Sequence, residues 1–194
     1  MTMNHGYKVL ALMSLLSLLG ACRSSRPPLT TEPAVDLPRF MGDWYVIANI
    51  PTSLERGAHN AVESYRLDAD GSIATTFTFR DGAFDGELKR YCPRGFVRDT
   101  GSNAIWGMQF LWPIKADYRI VHVSADYQRT IIGREKRDNV WIMARTPEVS
   151  EADWQDLEAR VAREGYDMKS LQRVPQRWPE PGAAPARSAL EECS

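Results

Sequence analysis

The chain has little of what most reaction chemistries need. Three histidines and three cysteines in 194 residues are thin material for a metal centre or a thiol nucleophile. Neither a Gly-x-Ser-x-Gly elbow nor a His-Glu-x-x-His pair is present. His5 lies in the N-terminal leader-like segment, so only His59 and His122 remain, and neither a metal nor a cofactor is expected. An excess of one charge is also missing: 24 Lys and Arg stand against 25 Asp and Glu, a net charge of −1. The cations are scattered and form no stripe, which argues against nucleic acid as a partner. The apolar run from Val9 to Leu19 is too short to span a bilayer, which takes about 20 residues.

What that run does fit is a secretory leader over residues 1–21, with a weakly basic start at Lys8 and small residues before Cys22. Leu19-Gly20-Ala21-Cys22 resembles the lipobox of bacterial lipoproteins. The resemblance implies that Cys22 becomes the acylated first residue of the mature chain, attached to the membrane by several acyl chains. Arg23 stands where an Asp would favour inner-membrane retention, so the outer membrane is the expected location. The stretch "RSSRPPLTTEPAVDLP" is rich in Pro, Ser and Thr and has no periodicity. Residues 22–36 therefore read as a flexible tether with a reach of roughly 50 Å.

Six tryptophans and 43% hydrophobic residues suit one globular domain. From Gly42 to Pro147 the chain divides into short β-rich runs, near 43–50, 60–68, 72–80, 87–97, 103–112, 117–124, 128–135 and 139–146. Turn signals separate them: "DADGS", "RDGAFDG", "DTGSN", "WPIKAD", "SADYQ" and "KRDN". Alternation places Ala61, Glu63, Tyr65 and Leu67 on one face, as it does Ile73, Thr75, Phe77 and Phe79, and Trp106, Met108, Phe110 and Trp112. "VWIMA" (140–144) is apolar on both faces and needs a cover outside the sheet. "SEADWQDLEARVAREG" supplies one: Ser150 and Asp153 have capping-box spacing, and Trp154, Leu157 and Val161 form a stripe. "LQRVPQ" reads as a short edge strand, and 177–194 as a loose tail.

"GDWYVIANIP", with its Gly-x-Trp at Gly42 and Trp44, opens the first strand, and Arg145 closes the last before the helix. With "LERGAHNAVESYRL", "SADYQ" and "VWIMARTPEVS", these residues make 37–176 resemble a lipocalin, most of all the bacterial outer-membrane lipocalins and apolipoprotein D. The resemblance implies an all-β fold, an eight-stranded antiparallel up-and-down barrel with a C-terminal helix packed outside. It also implies that Trp44 plugs the closed end with Arg145 across its face, a cation–π pair. Ala125-Asp126-Tyr127 departs from the family's usual Thr-Asp-Tyr and loses one hydroxyl from that turn.

An eight-stranded barrel holds one small ligand. The expected lining is Tyr65, Phe77, Phe79, Trp106, Met108, Phe110, Tyr118, Ile120 and Trp141, which suits an acyl chain. Glu63 and His122 fall on inward faces and would receive a polar headgroup, unless a one-residue bulge turns either of them out. With Cys22 acylated, Cys92 and Cys193 are an even pair that allows one disulfide. The family resemblance implies such a link from the fourth strand to the C-terminal segment; the alternative is a frayed tail with two free thiols. The expected function is a lipid-anchored carrier of fatty acids, lysophospholipids or similar molecules that serves membrane upkeep under stress, and not an enzyme. Alternatives are an envelope interaction module whose barrel is filled by its own side chains and, less favoured, a thiol-dependent lipid isomerase using Cys92. Homodimerisation is left open.

Overall fold

The computed structural model describes residues 26–179 and Cys193. The expected leader over 1–21, Cys22 with its expected acylation, and the rest of the expected tail lie outside the described residues. Ten strands follow in order: β1 (Gly42–Ile50), β2 (Ala58–Leu67), β3 (Ile73–Asp81), β4 (Leu88–Tyr91), β5 (Arg94–Val97), β6 (Ile105–Leu111), β7 (Ile114–Val123), β8 (Arg129–Gly133), β9 (Val140–Ala144) and β10 (Gln172–Arg173). Helix α1 (Leu37–Phe40) precedes them, and α2 (Glu151–Arg163) lies between β9 and β10.

Neighbours pair antiparallel, and β9 returns to pair with β1, which closes the sheet into a barrel. β4 and β5 both pair with β3 and form one interrupted strand, so the barrel has eight staves. The interruption falls at Cys92-Pro93, where proline has no N–H for the ladder. This is the expected all-β barrel with its outer C-terminal helix. β10 is the expected edge strand, shortened to two residues beside β1.

Strand β9 shows how the sequence builds two layers at once. Met143 and Trp141 face the barrel interior, while Val140, Ile142 and Ala144 meet Leu157 and Val161 of α2 on the outside. Ser150 caps α2, its side chain accepting from the Asp153 amide. Full burial of Leu157 and Val161 contributes about 1.5–3 kcal/mol for each side chain.

The first-strand tryptophan sits at the closed end. Trp44 is fully buried, donates from Nε1 to the Phe40 carbonyl at 2.8 Å, and carries the Arg145 guanidinium 3.7 Å from its ring centre. Arg145 also donates to the carbonyls of Asp43 (2.7 Å), Arg39 (2.9 Å), Phe40 (3.1 Å) and Met41 (2.8 Å), tying α1 across the base. Burial lowers its pKa to about 10, which leaves it a cation at neutral pH. Gly42 has φ +94°, a left-handed conformation that a side chain resists. In the "SADYQ" turn the Ser124 hydroxyl accepts from the amides of Gln128 and Arg129, so the turn is held although Ala125 has no hydroxyl.

Two expectations are corrected. Residues 26–36 are not a free tether: Leu29 and Val35 are buried, and the Glu32 and Val35 amides donate to the carbonyls of Ile120 and Ser102. The apolar side chains spaced among the prolines find grooves on the barrel wall, which composition alone did not disclose. His122 does not face the interior either. A bulge between Ile120 and His122 sets His122 opposite Ile131, which belongs to the outer layer. There His122 meets Glu32 at 3.2 Å, while burial and the Arg160 cation lower its pKa and keep it neutral at pH 7.

Candidate functional site

The barrel interior divides into a packed lower half and an open upper half. Below, the rings of Phe40, Trp44, Tyr65, Trp106 and Tyr118 fill the space, with Trp106 and Tyr118 stacked at 5.2 Å and Phe40 5.1 Å from Trp44. Above them lies a cavity of about 280 Å³, near the lower end of the range for small-molecule sites. Phe77, Tyr91, Pro93, Met108, Phe110 and Ala116 form its apolar wall. Leu54 and its neighbours Thr52, Ser53 and Glu55 line the rim from the β1–β2 connection, and Trp141 of the adjoining strand β9 and Arg134 just past the end of β8 continue it.

The structure thus brings Glu63, Phe77, Met108, Phe110, Tyr118 and Trp141 of the expected lining together around one space. Tyr65, Trp106 and Ile120 are buried in the interior core outside that lining, and Phe79 packs against Phe77 and Tyr91. These four are a correction to the expected lining. They share the inward face, but bulky rings fill the narrow end before any ligand reaches it. Phe110 stands at the rim, and Trp112, expected on the same inward face, is exposed. A bulge between Met108 and Leu111 breaks the alternation there.

Glu63 is the chemically distinctive group. β2 passes an irregularity between His59 and Val62, and Asn60 there takes a positive φ of 49°. Beyond it, regular alternation points Glu63 and Tyr65 inward together. The Tyr65 hydroxyl donates to Glu63 Oε2 and lies 2.6 Å from the Tyr118 hydroxyl, so two phenols and a carboxyl form one buried chain. Burial raises the Glu63 pKa to about 8, with the charge of Glu55 adding to the effect. At neutral pH Glu63 is therefore mainly protonated, and the cavity floor is polar yet uncharged. Desolvation, with Glu63 nearby, also raises Tyr118 well above the usual phenol value.

At the rim, Glu55 is buried, accepts from Trp141 Nε1 at 2.9 Å and from the Thr52 amide at 2.8 Å. Arg134 donates to Asn139 Oδ1 at 2.8 Å, while its buried Nε has no hydrogen-bond partner among the described residues. Sequence reasoning missed Glu55, Tyr91 and Arg134. Glu55 lies in a connection, where alternation carries no information; Arg134 belonged to the expected run 128–135 but falls just past the end of β8, and the break at Cys92-Pro93 obscured the phase of Tyr91. Among the described residues no cluster suits a metal ion. Cys92 is bonded to Cys193.

A family model described as a lipocalin-like domain matches residues 35–176. The chain belongs to the lipocalin family. A lipocalin named outer membrane lipoprotein Blc, from Citrobacter freundii, is 29% identical over 177 residues, covering 90% of this chain and 97% of that protein. Temperature-induced lipocalin-1 of Arabidopsis thaliana is 27% identical over 168 residues, covering 79% of this chain and 87% of that one. In structure, insecticyanin from the tobacco hornworm Manduca sexta matches with a TM-score of 0.64 at 12% identity, over 80% of this chain and 88% of that one. The family match and the Blc relative support a bacterial lipocalin of the Blc type, and the insecticyanin likeness shows the fold. No helix among the described residues is long and apolar enough to cross a membrane.

Proposed function

We propose that this lipocalin is a lipid-anchored carrier of the bacterial outer membrane that takes one single-chain lipid, a fatty acid or lysophospholipid, into its barrel. The observation that carries the reading is the open cavity of about 280 Å³, apolar in its walls and closed below by packed aromatic rings. A volume of that size suits one acyl chain and leaves little room for a second. The chain would lie against Phe77, Met108 and Tyr91 and end over the uncharged Glu63–Tyr65–Tyr118 group. An anionic head would remain at the rim, near the Arg134 guanidinium. Acylated Cys22 would supply the anchor, in keeping with the outer-membrane lipoproteins among the relatives. A role in membrane upkeep under stress draws its support from the name of the plant relative, a temperature-induced lipocalin.

The packed lower half favours a second reading, an interaction module filled by its own side chains. The bonded state of Cys92 weighs against a thiol-dependent isomerase, since a disulfide sulfur is no free nucleophile. Native mass spectrometry on the chain secreted without its acyl group, followed by denaturation, separates carrier from module. A stoichiometric single-chain lipid is the expected result. Bare protein, with no change in tryptophan emission on adding palmitate or lysophosphatidylethanolamine, would overturn the carrier reading and favour the module.

A further inference from the structure

The N-terminal segment enters the barrel from the end at which the cavity opens. The connections β1–β2, β3–β4, β6–β7 and β8–β9 lie at that end, and Glu135 and Arg137 belong to the last of these. Arg137 Nη2 donates to the Pro27 carbonyl at 2.8 Å, and the Leu29 amide donates to Glu135 Oε2 at 3.3 Å. The Thr30 amide reaches Glu164 Oε2 at 3.1 Å, just past the end of α2. From there the segment descends the wall to Val35, whose amide donates to the Ser102 carbonyl in the β5–β6 connection at the base. Cys22 stands four residues before Arg26. Even fully extended, that stretch reaches only about 14 Å.

The same end carries the most exposed apolar surface among the described residues. Around the β6–β7 hairpin, Phe110 is 53% exposed, Leu111 71%, Trp112 81% and Ile114 67%, and Leu54 across the rim is 52% exposed. Lys115 follows directly, and no acidic residue occurs between Ile105 and Ala116. Protruding Trp and Leu side chains on a hairpin tip are the composition that settles at a bilayer interface, with the rings below the headgroups; the Lys115 ammonium lies 3.5 Å from the centre of the Phe96 ring.

We propose that the barrel docks mouth-down on a lipid bilayer, the β6–β7 hairpin tip inserted among the headgroups, so that the cavity opens onto lipid. The short leash depends on the reading of Cys22 as acylated; the apolar hairpin does not. The consequence is that a single-chain lipid passes between bilayer and barrel without its chain crossing water. Two independent features point the mouth the same way: the anchor point, by chain length, and the hairpin, by exposed area.

The test reconstitutes the full chain, purified from bacterial membranes, into phosphatidylethanolamine–phosphatidylglycerol vesicles containing lipids brominated on the shallow acyl carbons. Bromine quenches tryptophan emission only at contact. Wild-type emission should be quenched, Trp112→Phe should remove most of that quenching, and Trp154→Phe, in the first turn of α2 at the far end, should leave it unchanged. Trp112 is mostly solvent-facing, so its replacement leaves folding intact. Quenching that is absent, or that does not depend on Trp112, overturns the proposal. So does a dimer in sedimentation that shields Trp112 from brominated lipid, which would assign the rim to a second copy. The intact mass of the same preparation reads acylation separately: an unmodified chain refutes the anchor, while Trp112-dependent quenching would still uphold the docking.

Discussion

Glu63 shows how one side chain ties stability to ligand chemistry. Its ordinary pKa of 4.5 is raised to about 8 in the folded chain. Below about pH 4.5 the carboxyl is protonated in folded and unfolded chains alike and has no effect on the balance. Between about 4.5 and 8 only the folded chain keeps the proton, so stability falls as pH rises through this window and levels off above about 8. Glu63→Gln keeps the shape and the acceptor for Tyr65 while removing the charge. Chemical denaturation should show the variant matching wild type near pH 4.5, exceeding it increasingly up to about pH 8, and gaining no more above that. A difference independent of pH would refute the assigned cause. Arg145 is the opposite kind of residue, a charge that holds structure. Arg145→Leu removes the guanidinium donors from the carbonyls of Arg39, Phe40, Met41 and Asp43, of which Phe40 keeps only its bond from Trp44. The expected loss is about 3 kcal/mol in urea unfolding, with ligand binding retained.

At the level of elements, α2 and the C-terminal disulfide hold the wall from outside. Leu157→Ala removes a fully buried side chain between α2 and β9 and should cost about 2–4 kcal/mol, read from the urea midpoint. The Cys92–Cys193 bond closes a loop with a sequence separation of 101 residues. Its reduction should destabilise the barrel by about 2–4 kcal/mol, visible as a lower midpoint in reductant. Expectation and structure differ most where a local irregularity falls inside an element. The bulge in β7 rotates His122 from the inner to the outer face, and Cys92-Pro93 splits the fourth stave. A pattern of period two carries no mark of a single inserted residue.

For the whole molecule, the arrangement is a barrel plugged at one end and open at the other. A lipid bound above a neutral Glu63 should be held less tightly once that group ionises. Palmitate affinity should therefore fall as pH passes through about 8 in wild type, and much less in Glu63→Gln. Titration of Trp141 emission, from a tryptophan on the cavity wall, measures both. If affinity is lost equally in the two proteins, Glu63 does not face the ligand.

Closure and the tryptophan at the base followed from the family resemblance, whereas strand number and the outer helix were legible in the sequence itself, because each rests on a local signal: alternation, turn residues, a capping box. So was the candidacy of Glu63, a lone acid on an apolar stripe. Composition also marked residues 26–36 as unlike the domain, but only the tertiary structure decided that they pack along the wall and begin at the mouth. It alone decided how far up the barrel the aromatic rings reach, and so which inward residues meet a cavity. The physical reason is the same throughout. Local pattern sets which way a side chain points, whereas what it meets depends on segments distant in the chain that arrive only when the barrel closes.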